Sequence, residues 1–220
     1  MKLLLISDLH GNVELIDKLK TKICNTHVVV FAGDITNFGD QEAADDIINK
    51  VLSLNKNVIC VTGNCDFPAV EKNLLSRNLS VHTCSQVNSG FVYCGFGGSL
   101  LCPGKTPNVF SEAEITKGLQ SAISGLQDPD KTIFVVHHPP YNTLCDKLTS
   151  GEHAGSHSVR KAIEDFQPRL CLTGHIHEAS GVDRIGVTKI VNPGSGREGN
   201  YAEINIDNSN VQIDLKVIAV

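Results

Sequence analysis

The segment HVVVFAGD, residues 27–34, is an unbroken apolar run that ends in a glycine and an aspartate. Similar runs lie on either side of it, in KLLLISD (residues 2–8) and NVICVTGN (residues 57–64). Continuous apolar runs of this length are typical of strands that are covered on both faces, as in parallel sheets. We therefore predict that residues 27–34 form a buried strand with polar side chains at its exit.

The stretches between these strands have helical character. Residues 12–24 place apolar side chains three and four positions apart, and residues 40–54 form a second such stretch. The resulting βαβαβ order predicts an α/β fold in which helices cover a parallel sheet.

The rest of the chain predicts a second group of strands. Helices are expected at residues 112–126 and 158–166, each followed by a strand. The last part alternates in the manner of antiparallel strands. Because no repeat or linker interrupts the sequence, we expect one domain over residues 1–220 with two sheets. The strand segments are FVYCGFGGSL (91–100), TIFVVHHPP (132–140), PRLCLTGH (168–175), VTKIVNPGS (187–195), YAEINID (201–207) and VQIDLKVIA (211–219).

Composition narrows the class of protein. The net charge of -5 gives no global basic footprint, so an extended nucleic-acid surface is not expected. No stretch reaches the ~18–20 apolar residues that a membrane span needs. The first apolar run is followed at once by Asp8 and His10, so we interpret it as a strand and not as a signal peptide. The eight cysteines form no C-x-x-C pair and several lie in apolar runs, which favours reduced thiols and a cytoplasmic location.

Metal-competent side chains follow five apolar strands. Ligands in open α/β sheets collect at the carboxyl ends of the strands, so the repetition of this pattern is the main functional signal. Each residue alone is explained by a turn or a cap, but five coincidences are not. The residues are Asp8 and His10, Asp34, Asn64, His137 and His138, and His175 and His177.

This set of donors predicts two adjacent metal ions. Carboxylate, imidazole and amide groups together favour divalent or trivalent first-row ions such as manganese, iron, cobalt or zinc. A carboxylate that bridges two ions holds them about 3.5–4 Å apart, where they bind a phosphate group and acidify a water molecule. The predicted chemistry is hydrolysis of a phosphate ester by a metal-bound hydroxide.

The ordered motifs D-x-H, G-D, G-N-x-D, H-x-P and G-H-x-H resemble those of the calcineurin-like metallophosphoesterase superfamily. They extend from Asp8 to His177. The segments HHPP, GHIHE and NPGS further resemble small predicted phosphoesterases related to the bacterial cyclic-nucleotide phosphodiesterase Icc. The resemblance implies a four-layer α/β/β/α sandwich of two mixed β-sheets.

The resemblance also implies which residues hold each ion. Asp34 would bridge the two ions. The first ion would be held by Asp8, His10, Asp34 and His177, and the second by Asp34, Asn64, His137 and His175.

Cys65 departs from the pattern, because much of the superfamily has histidine there. A thiol is a weak donor and supplies no cation, so we expect phosphodiesters to be favoured over the more highly charged monoesters. Cys65 could instead only fill space. A role for it as a metal ligand is less expected, because strand alternation would point it away from Asn64. Asp66 is expected to cap the next helix or to orient its neighbours.

A general acid would then come from another segment, and His153 is our first candidate. The alternative is that His153 is a solvated loop residue. We expect His138 to pack behind the site. Asn192 and Ser195 could line the rim of the site, although a turn between strands explains them equally well.

The expected partner is a small phosphate ester such as a nucleotide. We do not expect association with a membrane. The substrate, the native metals and the oligomeric state are left open, since specificity would reside in loops 104–111 and 148–157. A protein-binding scaffold that keeps the fold is the rival function. A nuclease is a weaker third option, because the acidic chain shows no added DNA-binding segment.

Overall fold

The computed structural model describes residues 1–102, 104–207 and 210–220. Two β-sheets form the centre of this part of the chain. The first sheet has the strand order β11-β10-β1-β2-β3, with parallel pairing from β1 to β3 and antiparallel pairing at β10 and β11. Its strands are β1 (Lys2–Ile6), β2 (Val28–Ala32), β3 (Val58–Val61), β10 (Asn200–Ile206) and β11 (Val211–Val217).

The second sheet has six strands in the described residues, in the order β4-β5-β6-β7-β9-β8. The four central strands are parallel, and an antiparallel strand lies at each edge. Its strands are β4 (Ser85–Asn88), β5 (Phe91–Phe96), β6 (Thr132–Val136), β7 (Leu170–Leu172), β8 (Gly181–Ile185) and β9 (Thr188–Asn192).

Helices cover the outer face of each sheet. Side chains from α1 to α4 pack in one apolar cluster with the first sheet, and side chains from α5 and α6 pack in another with the second sheet. The helices are α1 (Val13–Lys18), α2 (Lys20–Asn25), α3 (Gln41–Leu54), α4 (Pro68–Ser76), α5 (Glu112–Ile123) and α6 (His157–Phe166).

Alternation along the buried strands creates the layers. In β1 and β2, Leu4 and Val29 face the helices, whereas Leu5 and Val30 face the second sheet and share a cluster with Tyr93. Because successive side chains of a strand point to opposite faces, one apolar strand contributes to two cores. The predicted four-layer α/β/β/α sandwich with two mixed sheets is confirmed.

Three details differ from the sequence predictions. The helix predicted at residues 12–24 is divided at Leu19, whose backbone (φ -88°, ψ 1°) leaves the helical region while its side chain stays buried. β9 pairs in parallel with β7, so only part of the predicted C-terminal antiparallel pattern is correct. The short edge strands β4 and β8 were not predicted, because their partly exposed sequences lack an apolar run.

None of the described helices combines the length and the apolar content that crossing a bilayer requires.

Candidate metal centre

The segments that follow β1, β2, β3, β6 and β7 meet at one end of the two sheets. Backbone hydrogen bonds join them: the amide of Asp8 donates to Gly33 O at 3.0 Å, and that of His10 donates to Asp34 O at 2.9 Å. The amide of Gly174 donates to His137 O at 3.1 Å. These bonds bring together motifs that are far apart in the sequence.

Asp8, His10 and His177 form the first group. One ligand atom from each lies within 4.8 Å of the others. Nε2 of His177 lies 3.2 Å from Oδ1 of Asp8 and 3.3 Å from Nε2 of His10. Asp8 is fully buried, whereas the side chain of His177 is 41% exposed, so the group opens to solvent on the His177 side.

Asp34 lies between this group and a second one. Its Oδ2 is 3.7 Å from Nε2 of His10 and 3.6 Å from Nε2 of His137. Asp8, Asp34 and His137 also place ligand atoms within 4.8 Å of one another. One carboxylate oxygen thus faces histidines that were predicted to bind different ions.

The second group contains His137, Asn64 and His175. Nε2 of His137 lies 3.0 Å from Oδ1 of Asn64. The rings of His137 and His175 contact each other edge to face, with centroids 5.1 Å apart. The backbone amide of His175 donates to both oxygens of Asp8. The structure therefore brings all seven predicted ligands into one region.

Four of the predicted ligands have left-handed backbone conformations. The φ angles are 53° at Asp8, 46° at His10, 48° at Asp34 and 70° at His175. Side chains other than glycine adopt this region rarely and at a cost, and such residues concentrate at functional sites. The chain turns sharply at these points, so each side chain is directed out of the strand end.

The glycines that precede Asn64 and His175 are required by close packing. A Cβ at Gly63 would lie 2.0 Å from Oδ1 of Asp34, and one at Gly174 would lie 1.7 Å from Oγ of Ser7. These two close approaches explain why glycine precedes Asn64 and His175, because any larger residue would push the adjacent strand ends apart.

Asp66 connects two of these loops. Its buried carboxylate accepts hydrogen bonds from the amides of Ile35, Thr36 and Gly63 and from the Thr36 hydroxyl, at 2.8–3.1 Å. The first of the two predicted roles, capping α4, is wrong, since the N-cap residue is Phe67 and no side chain makes a capping hydrogen bond there. Asp66 instead orients its neighbours, as the second alternative stated.

Two asparagines donate hydrogen bonds to the backbone of the turns that carry predicted ligands. Asn108 donates to Gly63 O and Thr62 Oγ1, and its backbone amide donates to Asn64 O. Asn192 is fully buried and donates to the carbonyls of Gly174 and Ile176, on either side of His175. Sequence reasoning missed Asn108, which has no motif. It left Asn192 undecided, and the structure shows that Asn192 holds the histidine loop.

The buried charges perturb one another. Burial raises the pKa of Asp34 to about 7; His137 opposes this, and the carboxylates of Asp8 and Asp66 add to it. Burial also raises the pKa of Asp8, but the hydrogen bond from His177 and the nearby histidines lower it overall. Burial lowers the pKa of His10 to about 4. These opposing shifts follow from the close packing of two buried acidic groups and several imidazoles.

Cys65 faces the same region. Asn64 Nδ2 lies 3.5 Å from Cys65 Sγ, so the two side chains do not point in opposite directions as predicted. The strand ends at Val61, and the alternation of a strand no longer applies in the turn that follows. Burial, together with Asp34, raises the pKa of the Cys65 thiol.

The other histidines lie beside the ligands. His138 is buried, its Nε2 is 3.0 Å from Ala154 O, and its ring packs on His175, as expected of a packing residue. His153 Nδ1 lies 2.8 Å from Asp146, and its ring contacts Tyr141. Both of these His153 contacts are with residues outside the ligand set, so its role as an acid stays a prediction.

The donor atoms fit metal ions. Nδ1 of His137 donates to Ala32 O at 2.7 Å, which leaves the Nε2 lone pair of a neutral ring facing the oxygens of Asn64 and Asp34. Metal-binding histidines usually donate their other nitrogen to a carbonyl or carboxylate in this way. In the described residues, Nδ1 of His10 is buried and has no hydrogen-bond partner.

Comparison with known proteins agrees with this geometry. Residues 1–179 match the family model of the calcineurin-like phosphoesterases. The chain belongs to that family. As a calcineurin-like phosphoesterase, it is 40% identical over 200 residues to the uncharacterized protein MJ1162 of Methanocaldococcus jannaschii, and the match covers 88% of each chain.

A more distant relative of this calcineurin-like phosphoesterase is named for an enzymatic activity. The cAMP/cGMP dual specificity phosphodiesterase MT0825 of Mycobacterium tuberculosis is 23% identical over 185 residues. The match covers 79% of this chain but only 56% of that relative.

Solved structures share the fold of this family member. TT1561 of Thermus thermophilus has a TM-score of 0.74 at 19% identity, with 97% of each chain covered. A dimetal phosphatase from Danio rerio has a TM-score of 0.64 at 13% identity, covering 99% of this chain and 96% of that one.

Proposed function

We propose that this calcineurin-like phosphoesterase is a dinuclear metal-dependent hydrolase that prefers phosphodiesters to phosphomonoesters. The observation that carries the proposal is the position of Asp34, whose Oδ2 lies between His10 and His137. In this proposal Asp34 would be a ligand of both ions. Asp8, His10 and His177 would complete the first site, and Asn64, His137 and His175 would complete the second.

When bound, the two ions supply positive charge beside the phosphoryl oxygens and acidify the water that attacks phosphorus. The protein contributes the positions of the ligands. Asp66 and Asn108 hold the turns that carry Asp34 and Asn64, and the carbonyl of Ala32 fixes the ring of His137. Orientation of this kind by neighbouring hydrogen bonds is a general property of metal sites.

The preference for diesters follows from the residue at position 65. Cys65 cannot supply the cationic imidazole that a histidine offers, so the site has less positive charge for a dianionic monoester. The name of the Mycobacterium tuberculosis relative, a cyclic-nucleotide phosphodiesterase, supports a small diester as substrate.

Metal dependence is tested by reconstituting the chelated protein with Mn²⁺, measuring metal content, and assaying bis(p-nitrophenyl) phosphate. We expect about two ions per chain. Asp34→Asn should lower kcat/KM by about 10³-fold, because several kcal/mol of charge stabilisation is lost. Asp130→Asn, at an exposed carboxylate, serves as the matched control. Unchanged metal content and turnover in Asp34→Asn would overturn the proposal.

Substrate preference is tested by comparing this diester with p-nitrophenyl phosphate. We expect a higher kcat/KM for the diester. In Cys65→His, the added imidazole should shift the ratio of the two values toward the monoester. A monoester preference in the wild-type protein would refute the diester assignment and leave metal dependence intact.

The scaffold alternative is not favoured. A scaffold would be expected to have lost metal ligands, and all seven predicted ligands are present in this sequence. Its test is contained in the metal assay, because a scaffold would bind no metal and show no turnover. A single domain over residues 1–220, a cytoplasmic location and His153 as general acid remain predictions.

A further inference from the structure

Cys65 is part of a compact set of donor atoms at the candidate metal centre. Its Sγ, a ring nitrogen of His10 and a carboxylate oxygen of Asp34 lie within 4.8 Å of one another. The side chain is buried, with 8% of the residue exposed. The backbone amide of Cys65 donates to Oδ1 of Asp34 at 2.7 Å, which fixes the position of the thiol relative to that carboxylate.

The structure removes the reason for not expecting Cys65 to be a metal ligand. Strand alternation would have turned Cys65 away from Asn64, but Asn64 Nδ2 contacts Cys65 Sγ. The thiol therefore lies on the same side as a predicted ligand.

Other cysteines have different surroundings. Cys94, Cys145 and Cys171 are buried in the apolar cluster between the second sheet and its helices. Such thiols behave as small apolar side chains. Cys65 instead faces a carboxylate and an imidazole, which are the usual companions of a thiolate in mixed metal sites.

We propose that Cys65 Sγ is an additional ligand of the ion held by Asp8, His10, Asp34 and His177. The proposal rests on the proposed dinuclear function. On metal binding, the thiol releases its proton to solvent and the sulfur donates an electron pair to the ion, so no oxidant or reductant is consumed. A sulfur ligand favours Zn²⁺, Co²⁺ or Fe²⁺ over Mn²⁺ at this position.

Cobalt spectroscopy tests this assignment without relying on activity. The full chain is freed of metal by chelation, reconstituted with Co²⁺, and examined for a thiolate-to-cobalt charge-transfer band in the near ultraviolet. We expect the band in the wild-type protein and in Cys24→Ser, whose thiol is exposed on α2. We expect it to be absent in Cys65→Ser. The same variant should lower Zn²⁺ affinity by about tenfold or more and change Mn²⁺ affinity much less.

X-ray absorption of the zinc-loaded wild-type protein provides a test that needs no variant. We expect about half a sulfur neighbour per zinc ion at about 2.3 Å, because one sulfur is bound to one of the two ions. If the protein binds two ions but shows neither the band nor the sulfur neighbour, or if Cys65→Ser keeps the band, the role of Cys65 is overturned and the dinuclear function stands. If the protein binds neither Co²⁺ nor Mn²⁺, the proposed function fails as well.

Discussion

Nε2 of His137 lies 3.0 Å from the amide oxygen of Asn64 while Nδ1 of the same ring is hydrogen-bonded to Ala32 O. In a neutral ring, two acceptors therefore face each other in a fully buried place. An acceptor pair of this kind is unfavourable unless a cation or a proton lies between the atoms. A cation bound between Nε2 of His137 and Oδ1 of Asn64 would stabilise this arrangement, as the proposed function requires.

Removal of metal should therefore destabilise the protein. At a Mn²⁺ concentration about 100 times Kd, binding to the folded state contributes about 2.7 kcal/mol. For a chain of this length, that corresponds to a rise in Tm of about 5–10 °C over the chelated protein. Thermal denaturation followed by circular dichroism measures the difference. Asn64→Ala should show a smaller rise because one ligand is missing, and an identical Tm with Mn²⁺ and with chelator would contradict the prediction.

Asp66→Asn should loosen both loops that carry Asp34 and Asn64. The Asp66 carboxylate accepts from four donors, and an asparagine would turn an NH₂ group toward some of them. We expect a loss of at least about 2 kcal/mol in the free energy of unfolding, measured by urea denaturation in the presence of chelator. Asp130→Asn, at the surface, should change it by less than about 0.5 kcal/mol. Equal values for the two variants would show that the network does not stabilise the fold.

Local sequence patterns were sufficient to predict the candidate ligands. Asp8, Asp34 and Asn64 each follow an apolar run of the first sheet, and the run itself identifies the strand end. Parallel pairing then brings the strand ends to one edge. The predicted layer order came from the family resemblance, since periodicity alone does not state how many layers pack together.

Contacts between distant segments could not be predicted in this way. Asn108 meets Gly63 across 45 positions and belongs to no motif. Asn192 lies at the end of β9, in the segment NPGS, but its contact with Gly174, 18 positions away, could not be read from that segment. The direction of Cys65 was also missed, because it depends on where β3 stops. The edge strands β4 and β8 are short and partly exposed, so their formation depends on the neighbours that pair with them.

Glu112 links the start of α5 to the start of α6. Its carboxylate accepts hydrogen bonds from the Ser156 hydroxyl and from the amides of His157 and Ser158, at 2.6–3.0 Å. Burial raises the pKa of Glu112, but these hydrogen bonds from Ser156, Ser158 and His157 lower it overall from its ordinary value of 4.5. The charged carboxylate also lies at the N-terminal end of α6, where negative charge is favourable.

Glu112→Gln should therefore reduce stability in a manner that depends on pH. Because the pKa of Glu112 is lower in the folded than in the unfolded state, its ionised carboxylate stabilises the fold fully at pH values above the unfolded pKa of 4.5. This stabilisation is lost as the pH falls through the lower pKa of the folded state. We expect the variant to be less stable by about 1 kcal/mol at pH 7, allowing for partial exposure. The difference should shrink below pH 4.5. Urea denaturation of both proteins over a pH series measures this difference, with Asp130→Asn as control. A difference that stays constant as the pH falls would show that the charge of Glu112 does not stabilise α6.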